Sequence, residues 1–164
     1  MASELTQARL QELLQYEEET GIFRWKFDRS SNARSGDVAG TLCRGYIQIS
    51  IDDRLYKGHR LAFLYMLGRW PDPEADHEDL DRSNNRWKNL REATRSQNLA
   101  NKRVRGDNKL GTKGVHRRAS GRYGVQVSMF GKTKHIGVYD TPELAAWMYG
   151  VVAEALFGEF ARLA

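Results

Sequence analysis

The chain has 164 residues, of which 40% are hydrophobic and 29% charged, with a formal net charge of +5. That balance excludes a disordered chain, and the length suits one ordinary domain or two or three small ones. No apolar run approaches the roughly 20 residues of a membrane span, the single cysteine, Cys43, excludes an internal disulfide, and MASELTQARLQ lacks the basic-then-apolar pattern of a secretion signal. A cytoplasmic protein without a membrane partner is expected.

In chain order, residues 4–16 read as an amphipathic helix. Leu5, Leu10, Leu13 and Leu14 recur at helical spacing, Ser3 is placed to cap it, and Thr20-Gly21 ends it. Short β-like runs follow at Ile22–Phe27, Tyr46–Ile51 and Arg54–Lys57, with Asp52-Asp53 as a hairpin turn. His59–Leu67 has a helical period closed by Gly68, and Pro71 and Pro73 break the chain. Residues 74–102 are polar, and residues 103–112 read as a basic linker. Three β-like runs, Gly114–Arg118, Tyr123–Phe130 and Lys134–Tyr139, precede a helix over 142–157 with Thr141 as cap, Pro142 in the first turn and Glu143 at the positive end of the dipole. Leu144, Ala145, Met148, Val152, Ala155 and Leu156 form the expected covering stripe of that helix. There is no internal repeat.

Charge is distributed unevenly. Residues 1–75 carry 10 basic and 11 acidic groups, residues 76–98 five of each, and residues 99–164 carry 11 basic and 5 acidic. Lys102, Arg103, Arg105, Lys109, Lys113, Arg117 and Arg118 crowd one short stretch with a single acid, Asp107. Such a run suits a polyanion, because each neutralised phosphate releases counterions; a solvated loop is the plainer reading.

The polar segment carries the chemistry. Asp76 and His77 are adjacent at the end of a short strand, Asn89 follows His77 by twelve residues and Asn98 comes nine later. Thr94-Arg95-Ser96-Gln97 is a capping box that starts a helix near Arg95, with Asn98 in its first turn and Lys102 one turn on. Asp76 and Asn98 offer the oxygen ligands a hard divalent cation takes, and a neutral His77 can accept a proton from water. The Asn89 amide can pin the loop between the strands. Taken singly, each of these residues is more often a turn former; the joint spacing argues for phosphodiester hydrolysis.

Six lines of sequence in residues 59–98 resemble the HNH nucleases, specifically phage-type homing endonucleases: His59-Arg60-Leu61-Ala62-Phe63, Gly68-Arg69-Trp70-Pro71, Asp76-His77, Asn84-Asn85-Arg86, Lys88-Asn89-Leu90-Arg91 and Ala93-Thr94-Arg95-Ser96-Gln97-Asn98. The resemblance implies a ββα-metal unit with His77 as general base, Asp76 and Asn98 as ligands of one metal ion, and Asn89 as the asparagine that holds the loop and orients the histidine. The motif is H-N-N here. Lys102 stands where some members add a ligand and cannot ligate as an ammonium, so the donor set favours Mg²⁺ or Mn²⁺ over Zn²⁺. His59 lies in the pattern but outside the metal motif, and reads as structural or phosphate-contacting. Trp70 and Trp87 read as packing residues, and Glu78, Asp79 and Asp81 as turn formers.

In the last third, alternation puts Val115, Ile136 and Val138 toward a core and leaves His116, Arg118, Gln126, Ser128, Thr133 and His135 on the open face of a sheet. A solvated face is the usual fate of such a surface; base edges and phosphates of a major groove are the functional alternative. Gly114-Val115-His116-Arg117-Arg118, Gly121-Arg122-Tyr123, Ile136-Gly137-Val138-Tyr139, Thr141-Pro142-Glu143, Ala145-Ala146 and the segment Phe157 to Leu163 resemble the APETALA2-type DNA-binding domain. That resemblance implies a three-stranded antiparallel sheet backed by one helix, with DNA-contacting positions at Lys113, His116, Arg118, Ser128, Thr133 and His135.

The reading is therefore an α+β chain in four parts: an N-terminal helix and small sheet (1–58), an HNH nuclease core (59–102) that ends on a DNA-binding Lys102, a basic linker (103–112) that tracks phosphates with Arg103, Arg105 and Lys109, and a DNA-binding domain (113–164). The expected function is a homing-type endonuclease acting on double-stranded DNA in the cytoplasm of a bacterial host, as a monomer that nicks or a dimer that cuts both strands. A DNA-binding regulator with an inactive nuclease fold is the alternative. RNA binding is disfavoured, because the sheet face has no paired exposed aromatics.

Overall fold

A computed structural model describes residues 4–30 and 33–163. These form a mixed α/β structure with four α-helices and four small sheets among the described residues. They divide into two compact units, Met1–Glu92 and Ala93–Ala164. No helix among the described residues is long and apolar enough to cross a membrane.

The first unit opens with α1 (Gln7–Leu13), capped by Thr6, whose side chain accepts from the Arg9 N–H at 3.2 Å. Ser3 lies outside the described residues. The helix is shorter than its leucine spacing predicts. Leu14 and Tyr16 belong to β1 (Leu14–Glu17), which pairs antiparallel with β2 (Ile22–Trp25), Leu14 opposite Trp25 and Tyr16 opposite Phe23. The reason is burial on alternate residues. Leu14, Tyr16, Phe23 and Trp25 are all buried, which a strand pair achieves and a continued helix does not. Thr20-Gly21 is thus a hairpin turn rather than a helix stop.

A second sheet contains β3 (Thr41–Cys43), β4 (Tyr46–Ile51) and β5 (Arg54–Lys57), with β4 in the middle. Asp52 and Asp53 both take positive φ, 47° and 60°, giving the tight turn that matches the twist of paired strands. α2 (Gly58–Leu67) ends at Gly68 in the left-handed conformation. It buries Leu61, Ala62, Phe63 and Leu64 against Leu10, Leu14, Phe23, Ile49 and Ile51. Trp70 stacks on Tyr56 (5.7 Å, 9°) and Trp87 meets Phe63 edge-on, so both tryptophans pack. β6 (Glu74–His77) and β7 (Leu90–Ala93) form a two-stranded sheet.

The second unit begins with α3 (Arg95–Asn101). The capping box is present: Thr94 accepts from the Gln97 N–H, and the Gln97 side chain accepts from the Thr94 N–H at 2.8 Å. The helix stops at Asn101. Lys102 takes extended dihedrals as the C-cap, so it does not continue the helical face that carries Asn98. β8 (Val115–Arg117), β9 (Tyr123–Met129) and β10 (Lys132–Tyr139) form an antiparallel sheet with β9 central, and α4 (Pro142–Phe157) covers one side. Ala93 and Ala100 share a hydrophobic cluster with Val115, Val125, Val127, Tyr149 and Phe157, so α3 packs into the same core as the sheet.

Two details of this unit depart from the alternation pattern. A bulge between His135 and Gly137 shifts the register, setting Val138 opposite Gly124 and Tyr139 opposite Tyr123. Ile136 and Tyr139 consequently pack on the core, whereas Val138 turns to the open face. The covering stripe of α4 is also rotated. Ala145, Tyr149, Ala153 and Phe157 are buried at four-residue spacing, while Leu144 and Leu156 are exposed. Tyr149 sets that rotation, because its ring lies against Gly114, where a Cβ would come within 2.4 Å.

Candidate active site

The site of the first unit is built on the end of β6. Asp76 and His77 are each only 5% exposed. The Asp76 carboxylate accepts from Arg91 Nε at 3.2 Å, an ion pair largely withdrawn from water. Residues 78–85 then loop out and return, held by Asn89. Its Oδ1 accepts from the Asp79 N–H at 3.1 Å, and its Nδ2 donates to Asp79 Oδ1 at 3.0 Å and to the Asn84 carbonyl at 2.8 Å. The Glu78 N–H donates to the Asn89 carbonyl at 3.0 Å. Burial opposes the charge on Asp79, yet the bonds from Asn84, the Asp81 N–H and Asn89 outweigh it and hold the carboxyl below its usual range. The Asp81 carboxyl, bonded by the Ser83 hydroxyl and N–H, is likewise held down. These acids are turn formers engaged by the loop's own donors.

His77 Nε2 lies 3.3 Å from Asn85 Oδ1. With the oxygen as acceptor, the ring proton sits on Nε2 and Nδ1 is the basic position. Asn85 is 1% exposed. Its carbonyl accepts from the Tyr16 hydroxyl at 2.6 Å, and its backbone abuts Gly21, where a Cβ would come within 2.3 Å. Gly58 faces its amide, with a Cβ position 2.7 Å from Nδ2. The N-terminal hairpin and the start of α2 therefore fix the residue that meets His77.

His77 is surrounded by rings. His59 meets it edge-on at 4.9 Å, and Tyr46 lies 5.3 Å from His59 and 6.2 Å from His77. Burial pushes His77 down, against the pull of Asn85 and the carboxylates of Asp76, Asp79 and Asp81. Burial, then the fields of His77, Lys57 and Arg60, push His59 down to about 3. Both imidazoles are neutral at pH 7, and His59 Nδ1 is buried without a hydrogen-bond partner.

The remaining sequence-predicted residues lie in the second unit. Asn98 is half-buried in the first turn of α3, its N–H donating to the Thr94 carbonyl at 2.9 Å. Lys102, Arg103 and Lys109 are exposed, and Arg105 pairs with Asp107 at 3.0 Å on the surface. The Lys113 ammonium donates to the Ala100 carbonyl; burial, with Arg162 nearby, pushes it down to about 8. The register sets Ser128 opposite Thr133, joined through their hydroxyls at 2.8 Å, and Gln126 opposite His135. His116 pairs with Gly124, and its ring covers the place a Cβ would take. His116, Gln126, Ser128, Thr133 and His135 thus share one exposed face, and Arg118 is exposed in the turn beyond β8.

The sequence gives no role at this site to Asn85, Arg91 or Tyr16, and marks Gly21 only as a helix stop. The pair Asn84-Asn85 was a visible signal, but nothing in it says that the second amide meets the histidine.

Among the described residues, no three His, Cys, Asp or Glu side chains gather as a metal-binding group. The donors present do fit a hard cation of the Mg²⁺ type, which binds through one or two carboxylates and keeps waters or phosphate oxygens for the rest. Asp76 is such a carboxylate.

Residues 56–100 match the family model described as HNH endonuclease. An uncharacterized HNH endonuclease of Acanthamoeba polyphaga mimivirus is 38% identical over 105 residues, covering 63% of this chain and 54% of that protein. The chain spans about half the length of the curated relative it matches. No solved structure matches. The matched segment of 56–100 contains Asp76, His77, Asn85, Asn89 and Asn98.

Proposed function

We propose that this chain is a homing-type DNA endonuclease that hydrolyses phosphodiester bonds with His77 as general base. The observation that carries this reading is His77, buried at the end of its strand and 3.3 Å from the Asn85 amide oxygen, inside the segment that matches the HNH endonucleases. In the hydrolysis, the His77 imidazole takes a proton from water, the water oxygen bonds to phosphorus, and the bond from phosphorus to the leaving oxygen breaks. Asp76 and Asn98 are the residues that would hold one Mg²⁺ or Mn²⁺, as the resemblance implies. When bound, that ion supplies positive charge for the phosphate and the leaving oxygen.

On this reading residues 59–102 cut, residues 113–164 bind double-stranded DNA as an APETALA2-type domain, and the basic residues of 102–109 follow phosphates between them. His116, Arg118, Gln126, Ser128, Thr133 and His135 would face the groove; Lys113 contributes charge from the sheet's edge. One active site cuts one strand, so a monomer nicks and a dimer is needed for a double-strand break. The setting would be the cytoplasm of a bacterial host.

The test is incubation with supercoiled plasmid and Mg²⁺ or Mn²⁺. Conversion to the nicked or linear form, stopped by EDTA, is expected. DNA binding without cleavage in either metal would overturn the reading in favour of a DNA-binding regulator built on an inactive nuclease fold.

A further inference from the structure

Two cations stand over one ring beside His77. Lys57 Nζ is 4.2 Å from the Tyr46 ring centroid, and the Arg82 guanidinium carbon is 5.1 Å from it. They arrive from different directions in the chain. Lys57 ends β5, opposite Gln48 of β4, the strand that Tyr46 begins. Arg82 comes from the loop that Asn89 closes, and its stem lies over the Arg44-Gly45 turn, with Cδ 3.8 Å from the Cβ position of Gly45. Both side chains are exposed, and among the described residues neither has a carboxylate partner.

Gathering two like charges on one ring opposes their mutual repulsion, and the ring quadrupole offsets only part of it. The acids nearest Arg82 in the chain do not answer it. Asp79 is taken by Asn84 and Asn89, and Asp81 by Ser83. The loop therefore presents a guanidinium at this edge. The contacts among Tyr46, His59 and His77 fix where the pair stands relative to the general base.

We propose that Lys57 and Arg82, carried on Tyr46, form an anion site that takes a backbone phosphate of the strand being cut. The inference rests on the endonuclease reading for the identity of its ligand, but binding can be measured apart from cleavage. A guanidinium and an ammonium on one anion divide the task in the usual way: Arg offers a planar fork to two oxygens, and Lys offers a point charge.

The test compares the full-length parent with the K57Q/R82Q double variant. One arm measures binding to plasmid DNA in EDTA as a function of salt, and the other measures nicking at saturating DNA. Losing the one phosphate that the pair neutralises lowers the slope of log affinity against log salt by about one. A phosphate held within reach of His77 also lowers the saturated nicking rate, by at least about tenfold. The charge-conserving K57R/R82K variant regains both. An unchanged salt slope in a protein of normal circular dichroism overturns the inference. So does a saturated rate equal to the parent's, or a K57R/R82K variant as impaired as K57Q/R82Q. If the parent itself nicks no DNA, the endonuclease reading falls, and the salt slope alone decides whether a phosphate site is there.

Discussion

Replacing His59 by phenylalanine should remove a specific part of the protein's acid sensitivity. His59 is 6% exposed, its Nδ1 has no hydrogen-bond partner, and its ring meets His77 edge-on at 4.9 Å. Its pKa falls to about 3 in the folded state, against about 6.5 for an unfolded chain. Between those values the unfolded state binds the proton and the folded state does not, so stability rises with pH through this window and is lost as pH falls below 6.5. At pH 5 the unfolded state is favoured by about 1.5 units at about 1.4 kcal/mol each, or about 2 kcal/mol; at pH 7.5 the penalty is near zero. Phenylalanine keeps the ring and removes both nitrogens. Urea unfolding of parent and His59→Phe at pH 7.5 and 5.0 measures the difference. Tryptophan fluorescence reports mainly on the first unit, which holds Trp25, Trp70 and Trp87. The parent should lose about 2 kcal/mol more than the variant between the two pH values, with the His77 contribution common to both. Equal losses would show that His59 is not held neutral, and the argument from burial would fail.

Three further outcomes follow from the site's geometry. Because the folded pKa of His77 is lowered, its basic form persists below pH 6.5, so the acid limb of kcat/KM for nicking should lie below that value; a limb above 6.5 contradicts it. Asn89→Ala removes the three side-chain bonds that close residues 78–85 and should cost about 2–3 kcal/mol in urea unfolding, together with most of the nicking activity; a loss under about 1 kcal/mol would show the loop to be held otherwise. Arg91→Met takes an ionic partner from the buried Asp76 carboxylate and should cost about 3–5 kcal/mol at pH 7.5, measured in the same way; a neutral result would mean the carboxylate does not need the guanidinium.

Much of this architecture is readable from residue order, for reasons that are local. The α3 capping box, the Gly68 stop, the Asp52-Asp53 turn and the Thr141-Pro142 start each depend on a few adjacent residues. Errors arise where distant packing decides. Leu14 fits a helical period with Leu10 as well as a strand with Tyr16, and only the opposing Phe23 and Trp25 choose the strand. The bulge at His135 to Gly137 has no clear signature beyond a glycine, yet it turns Val138 outward. On α4, both leucine positions lose the core to Tyr149 and Phe157, because those rings fill the space over Gly114 and the sheet. Candidate site residues were visible as a spacing of Asp, His and Asn. Their supports were not, since Asn85 meets His77 only because Tyr16, Gly21 and Gly58 hold it there.

Nicking of supercoiled plasmid by parent and His77→Ala, in the same metal and at saturating DNA, bears most directly on the whole account. The parent should convert plasmid to nicked or linear product in an EDTA-sensitive reaction. His77→Ala should bind DNA as well as the parent and cut at least about a hundredfold more slowly, the share a positioned general base supplies. A His77→Ala variant that nicks at the parental rate, or a folded parent that binds DNA and never cuts it, would contradict the account.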